Sequence, residues 1–441
     1  MTTGTRAAAS FPGGRRAAEA RLAAIDQARY GASRNHLDGA VTRLSPYIRH
    51  GVLSLAEVRD AVFAQLQAPG GGGRAAGEKL INELGWRDYW QRLWQQLGSG
   101  IWRDQEELKT GHHPGAYGAE LPADVAEGRT GLACMDGFIA ELHSSGWLHN
   151  HARMWLAAYL VHWRRIRWQA GAQWFLRHLL DGDPASNNLS WQWVASSFSQ
   201  KPYLFNRDNL ERFSSGSYCQ GCPKAEAGCP FEGSYESLEA RLFRPHDPRA
   251  DSSIPLPPAA TPPRPESSGP TPLRPMVWVH GEALGPANPA LRAHPGAPAV
   301  FVFDHDLISG LTATTGGHGE AGPAPLASGR LQFLRDCLTE LTVEVRQGAV
   351  AEELLAAAAI HGCDGIVTSR AVDPRFSRIA SRLAQTLPLR ILDPEPFVAL
   401  PVLGPGTPDL GRFNRYWRRA EPLVWGETTT VSDRKKNRRR R

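Results

Sequence analysis

The chain of 441 residues contains no run of eighteen or more apolar residues, so it offers no candidate membrane-spanning helix. Its opening, "MTTGTRAAASFPGGRRAAEARL", lacks the apolar core of a signal peptide. Together these predict a cytoplasmic protein with no membrane partner. Internal repeats are missing as well, and no GxGxxG follows the first β-rich run, so a dinucleotide site there is not expected. Cysteine is scarce, with six residues, and in a cytoplasmic chain these are better read as metal ligands or core thiols than as a disulfide framework. Net charge is also absent outside one place. Seven basic side chains and Asp433 in the last nine residues, "DRKKNRRRR", account for the whole formal charge of +6. Such a tail either attracts nucleic-acid phosphates without reading sequence or serves only as a solubilising end.

Against these absences, 41% apolar and 21% charged residues describe an ordinary globular protein with room for two or three domains. Residues 245–275 carry 11 prolines and read as a stiff linker between unlike halves. Before it, long apolar-periodic segments such as 150–166 and 170–180 predict an all-α unit. After it, "MVWVH", "AVFVF", "VEVR", "GIVTS" and "LRILD" alternate with helical stretches at 328–341, 349–361 and 372–386. That alternation predicts βαβ crossovers and a doubly wound, Rossmann-like parallel sheet. The expected organisation is a helical domain over 1–244, the linker, an α/β domain over 276–400, a terminal segment over 401–432 and the basic tail over 433–441.

One stretch of the helical half gathers unusual chemistry. In "DGDPASNNLSWQWVASS" (181–197), two acids, two adjacent amides and two indoles crowd a helix junction. Asp181, Gly182, Asp183 and Pro184 are expected to break the preceding helix, with a new one over "SWQWVASSFS". Some thirty residues earlier, "LHNHARM" supplies His149, Asn150, His151 and Arg153, and Arg153 is a natural partner for an acid at the junction. Taken singly, each has an ordinary explanation: turn acids, backbone-capping amides and core tryptophans. Together they predict a polar pocket between helices.

The cysteine-rich stretch "YCQGCPKAEAGCPFEGSYE" places Cys219, Cys222 and Cys229 at CxxCx6C, one thiolate short of a four-ligand site. Cys337 and Cys363 read as core of the α/β half.

The runs "TGLACMDGFIAELHSSGWLHNHARM" and "LLDGDPASNNLSWQW", with Trp168 between them, resemble the flavin-binding domain of DNA photolyases and cryptochromes in order and spacing. "GWRDYW" (85–90), preceded by Glu83, and "VTRLSPYIRHGVLS" (41–54) join the resemblance, which covers roughly residues 28–215 and, more weakly, the α/β half. It implies an FAD held by Thr42, Leu44 and Ser45 in a phosphate-cradling loop and by Asn150, Arg153, Asp181, Asp183 and Asn187. Arg153 would pair with Asp181, Asp183 would contact the isoalloxazine edge, and Asn187 would sit by the flavin nitrogen protonated on reduction. Trp191 and Trp168 would be first and second electron donors. Glu83, Trp86, Asn150, Met154 and Trp193 would line the cavity for a flipped lesion. The set Asn187, Trp191, Trp168 and Glu83 would carry catalysis, while Trp86, His151, Met154 and Trp193 would face substrate.

The implied activity is light-driven repair of UV-damaged DNA by a monomeric carbon–carbon lyase, with a cryptochrome-like photoreceptor as the alternative. His151 stands where dimer photolyases carry Arg, which leaves the cyclobutane dimer and the six-four lesion both open. Cys134, in "TGLACMDGF", matches a cysteine of the family's bacterial iron-sulfur branch. With Cys219, Cys222 and Cys229 it would hold a [4Fe-4S] cluster, with zinc as the competing occupant. Two departures stand out. The antenna-like α/β half follows the flavin domain rather than preceding it, with its chromophore unassigned. The position of the surface tryptophan in the family's donor chain is Val125, which leaves Trp155, Trp163 or Tyr117 as other routes.

Overall fold

The computed structural model describes residues 11–245, 264–309, 325–402 and 406–427. The basic tail and residues 246–263 of the linker lie outside the described residues. Among the described residues, no helix is long and apolar enough to cross a membrane.

Residues 11–245 form helices and irregular connections, with no strand among the described residues. The longest helix, Gly73–Leu97, is flanked by Leu55–Gln67, whose start is fixed by a capping box: Ser54 accepts from Glu57 N and Glu57 bonds back to Ser54 N. The segment read as one helix over 150–166 is the α-helix Asn150–Ala158 followed by a π-helical turn, Tyr159–Trp163. Helix Trp168–His178 then packs against helix Pro184–Ala195. The second of these starts earlier than the sequence reading placed it. Pro184 begins the helix rather than only breaking the previous one, because Asp183 caps it through Ser186 N and proline suits the first helical position. Asn187 and Asn188 therefore lie on a helix, not in a loop.

Residues beyond the linker build a five-stranded all-parallel sheet in the order β3-β2-β1-β4-β5. The strands are β1 (Pro275–Val279), β2 (Ala299–Asp304), β3 (Glu344–Gly348), β4 (Gly365–Ser369) and β5 (Leu389–Leu392). Val277 pairs with Ala299 of β2 and with Val367 of β4, so β1 is central. Side chains on a strand alternate between faces, and the two faces meet different cores. Met276 and Trp278 pack with Leu354, Phe376 and Leu383 of the helices Val350–Ile360 and Pro374–Ala384. Val277 and Val279 instead join Leu44, Tyr47, Leu53 and Phe333 in a core continuous with the helical unit. Helix Ser328–Leu338 contributes Phe333, Leu334 and Leu338 to that shared core. The terminal helix Phe413–Val424 also folds back, burying Phe413, Tyr416, Trp417 and Val424 against Gly73–Leu97.

Candidate functional site

The polar junction is a compact, buried assembly. Arg153, on the first turns of helix Asn150–Ala158, donates from Nη2 to Asp181 Oδ2 at 2.8 Å. Asp181 is 7% exposed, and its other oxygen, Oδ1, is buried with no protein partner. Asp183 is 1% exposed and engaged throughout: it accepts from Ser186 N at 3.0 Å, Ser186 Oγ at 2.7 Å and Gln91 Nε2 at 2.9 Å. Burial alone would raise its pKa, but the charges of Arg87 and Arg49 and the Ser186 hydrogen bonds outweigh it and hold the carboxyl below the usual range. Asn187 donates to Ala172 O and to Asn188 Oδ1, both at 3.0 Å, while Asn188 Nδ2 is buried without a partner.

The loop ahead of helix Ser45–Arg49 borders this assembly. Arg43 adopts a positive φ of 52°, and Ser45 Oγ accepts from Trp147 Nε1 at 3.3 Å. Thr42 turns its hydroxyl back to Leu44 N at 3.4 Å, and Leu44 is core. Arg49 and His50 were not singled out in the sequence, yet both reach the junction: Arg49 Nε donates to Gly182 O at 2.9 Å, and His50 Nε2 lies 3.0 Å from Leu180 O. On the opposite side they meet the loop after β1. Arg49 pairs with Glu282 at 2.8 Å, His50 Nδ1 lies 2.7 Å from Gly281 O, and Leu284 N donates to His50 O. The crevice at the carboxyl ends of β1 and β4, the usual ligand position of such sheets, is thereby packed against the helical unit.

The aromatic residues divide into buried and accessible groups. Trp191 is 2% exposed and lies over Gly171, where a Cβ would come within 2.2 Å of its ring. Trp168 donates from Nε1 to Asp104 Oδ1 at 2.6 Å and stacks on Trp102 with centroids 6.5 Å apart and planes 10° from parallel. Trp102 was not among the expected electron routes; its stacking partner is 66 residues away in sequence, which leaves no local signal. Trp155 and Trp163 point elsewhere, bonding Asn209 and the carbonyl of Pro230 beside Phe205. Trp193 is 37% exposed beside Tyr203. Asn150 is exposed and touches Met154 Sδ at 3.5 Å. Trp86 is half-buried, with one face covered by Phe413 at 3.8 Å and 9°. Glu83 pairs with Arg34 at 2.8 Å, and burial pushes its carboxyl above the usual range despite the Arg34 charge.

Burial also lowers the His151 pKa to about 4, with the charges of Arg34 and His36 adding to the effect. Its ring is neutral at neutral pH, and Nδ1 is buried without a partner.

The four cysteines expected as ligands come together from two stretches of the chain. Cys134, near the start of helix Ala133–Ser145, lines one pocket with Cys219, Cys222, Cys229, Tyr218 and Phe231. All are free thiols, and burial raises the pKa of Cys134, Cys219 and Cys229. Among the described residues, however, no group of three or more Cys, His, Asp or Glu side chains closes tightly enough to hold a single metal ion. Cys337 is core, bonded by Gly14 N, while Cys363 is only partly buried.

The residues at the junction suit a polar, hydrogen-bonding cofactor. Asp181 Oδ1 and Asn188 Nδ2 are buried but unpaired, and each such group costs about 1–3 kcal/mol unless something bound satisfies it.

A family model described as the FAD binding domain of DNA photolyase matches residues 80–215. A deoxyribodipyrimidine photo-lyase of Escherichia coli is 36% identical over 176 residues, covering 37% of this chain and 35% of that protein. One from Streptomyces griseus is 34% identical over 158 residues, covering 36% of this chain and 32% of the relative. The alignments thus span about a third of the length of these relatives. Among solved structures, a cryptochrome of Synechocystis aligns at 25% identity and TM-score 0.42, covering 47% of this chain and 44% of that one. Residues 80–215, which contain the whole Arg153–Asp181–Asn187 junction, are thus the part of the chain that is similar to the FAD binding domain of DNA photolyase.

Proposed function

We propose that this chain is a light-driven, FAD-dependent enzyme that repairs pyrimidine dimers in DNA. The observation that carries the reading is the buried pair Arg153–Asp181 with Asp181 Oδ1 left open, inside the segment matched by the flavin-binding family. When bound, FAD would supply the light-driven electron transfer that opens the dimer and then recovers the electron.

The protein's own share is orientation, exclusion of water and a route for electrons. Arg153 holds Asp181 in place, and Asp183 anchors the helix that carries Asn187. Asn187 would present its amide to the cofactor, and Thr42, Leu44 and Ser45 would border its phosphates. Trp191 and Trp168, both nearly inaccessible, would relay electrons to the site. A dimer must leave the duplex to reach a buried cofactor, and Asn150, Met154 and the accessible face of Trp193 would receive it. His151, neutral at pH 7, would not act as an imidazolium acid, which favours the cyclobutane dimer over the six-four lesion. The four cysteines lining one pocket would hold the [4Fe-4S] cluster, with zinc as the competing occupant of the same thiolates.

The test is blue-light-dependent loss of thymine dimers from an oligonucleotide, using anaerobically purified protein with reduced FAD, a dark control and Asn187→Ala. Dimer loss only in light and only with the parent supports repair. A second reading, a cryptochrome-like photoreceptor, is favoured by Phe413 covering one face of Trp86, a residue expected to line the lesion cavity. Photoreducible FAD without dimer loss would select it.

A further inference from the structure

The sheet unit places one side chain inside the helical unit. Arg330, on the first turn of helix Ser328–Leu338, is 5% exposed. Its Nη1 donates to Leu176 O and its Nη2 to Gly182 O, both at 2.7 Å. These carbonyls lie at the end of helix Trp168–His178 and in the middle of the Asp181–Gly182–Asp183 turn. Gly182 O also accepts from Arg49, so two guanidiniums from separate parts of the chain converge on one peptide.

This convergence explains why residue 182 is glycine. A Cβ there would stand 2.4 Å from Arg330 Nη1 and 3.0 Å from Leu179 O, so a larger residue would have to displace the guanidinium from the turn. It also poses an electrostatic problem. A guanidinium does not give up its proton in proteins, and a buried cation without a countercharge is costly. Arg330 lies in the repulsive field of Arg49 and the attractive fields of Asp181, Asp183 and Glu282. Its Nε is buried and unpartnered, as is Asp181 Oδ1. Interior packing alone would be better served by an apolar residue, since a buried ionic group is often replaceable without loss of stability.

We infer that Arg330 is a positioning residue for the flavin site, contributed by the sheet unit: it fixes the 181–183 turn and thereby sets where Asp181 faces the cofactor. The inference rests on the flavin reading above. Flavin retention is then tied to docking of the sheet unit, although that unit supplies no residue to the segment matched by the family. Arg330 acts through the turn, so its effect reaches the cofactor's electrostatics as well as the fold.

The experiment uses the full chain as parent, Arg330→Lys, Arg330→Met and, as a control on the same unit that pairs only with Glu344 and Glu353, Arg346→Met. Four quantities are read: the FAD dissociation constant of the apoprotein, the flavin midpoint potential, flavin fluorescence, and the melting temperature without flavin. Arg330→Met should weaken FAD binding at least tenfold and lower the midpoint potential. Arg330→Lys, which keeps the charge but not the two-carbonyl fork, should fall between it and the parent, and Arg346→Met should match the parent. If Arg330→Met does not fold, the lysine variant decides through its potential and affinity. Parent-like affinity and potential in the Arg330 variants overturn the inference, as does a loss fully accounted for by lower apoprotein melting. A parent that binds no FAD overturns the flavin reading itself, and this inference with it.

Discussion

Arg153 Nη2 and Asp181 Oδ2 are 2.8 Å apart, and the far oxygen of the same carboxylate meets no protein atom that could donate to it. One side of Asp181 is thus committed to the fold and the other is free for a ligand. Arg153→Met should destabilise the apoprotein by about 2–4 kcal/mol, because it strands a buried carboxylate. Asp181→Asn, which keeps the shape, should cost less stability but at least tenfold in FAD affinity. Urea unfolding and fluorescence titration measure the two effects separately.

The stacking of Trp102 on Trp168 extends the buried aromatic path. Gly171, three residues after Trp168 on the same helix face, lies beneath Trp191, which brings the three indoles into one neighbourhood. Trp102→Phe should slow photoreduction of bound FAD at least tenfold, with Trp155→Phe and Trp163→Phe close to the parent. Transient absorption after a blue flash reads this, and equal rates in all three variants would remove Trp102 from the path.

Gly171 permits close contact with the Trp191 ring. Gly171→Ala should overpack this contact and cost about 1–3 kcal/mol, offset in part by the better helix propensity of alanine. Thermal melting gives the net sign, and weaker quenching of flavin fluorescence would report displacement of Trp191.

His162 is 3% exposed, bonds Val194 O at 3.1 Å, and has its pKa lowered to about 4 by burial. Its unfolded value is near 6.5, so between pH 6.5 and 4 the unfolded chain binds the extra proton. Stability is therefore fully present above pH 6.5 and falls as pH drops toward 4, by about 2–3 kcal/mol for this one residue. His151 and His178 act with the same sign. Denaturant midpoints across that range should show the fall, and His162→Phe should flatten it.

Anaerobically purified protein should carry iron and a broad absorption band near that of the flavin, both lost in Cys134→Ser and Cys222→Ser. Elemental analysis showing zinc, or no metal, would replace or remove the cluster.

Much of this architecture was legible in the sequence. Most of the strands are short apolar runs bounded by turn residues, β3 being the polar exception, and all five overlap the stretches where the alternation placed them. Arg153, Asp181 and Asn187 stood out because acids, amides and an arginine rarely crowd one junction without a task. The start of helix Pro184–Ala195 was misplaced because proline was read as a stop, when an aspartate before a proline equally marks a helix start. Arg330 and Trp102 left no local trace. Each matters through a partner more than sixty residues away, brought near only by packing. The neutrality of His151 was likewise invisible, since it follows from how deeply the ring sits.

Val277 and Val279 face the core of the helical unit, while their neighbours Met276 and Trp278 face away from it. The halves are therefore held by interlocking surfaces and not only by the chain that joins them. A protease cut between residues 246 and 263 should leave two fragments that co-elute as one particle and melt in one transition. If assembly depends on which faces match and not on which half the ribosome makes first, a permuted chain carrying the sheet half ahead of the helical half should fold to the same particle and melt within a few degrees of the parent.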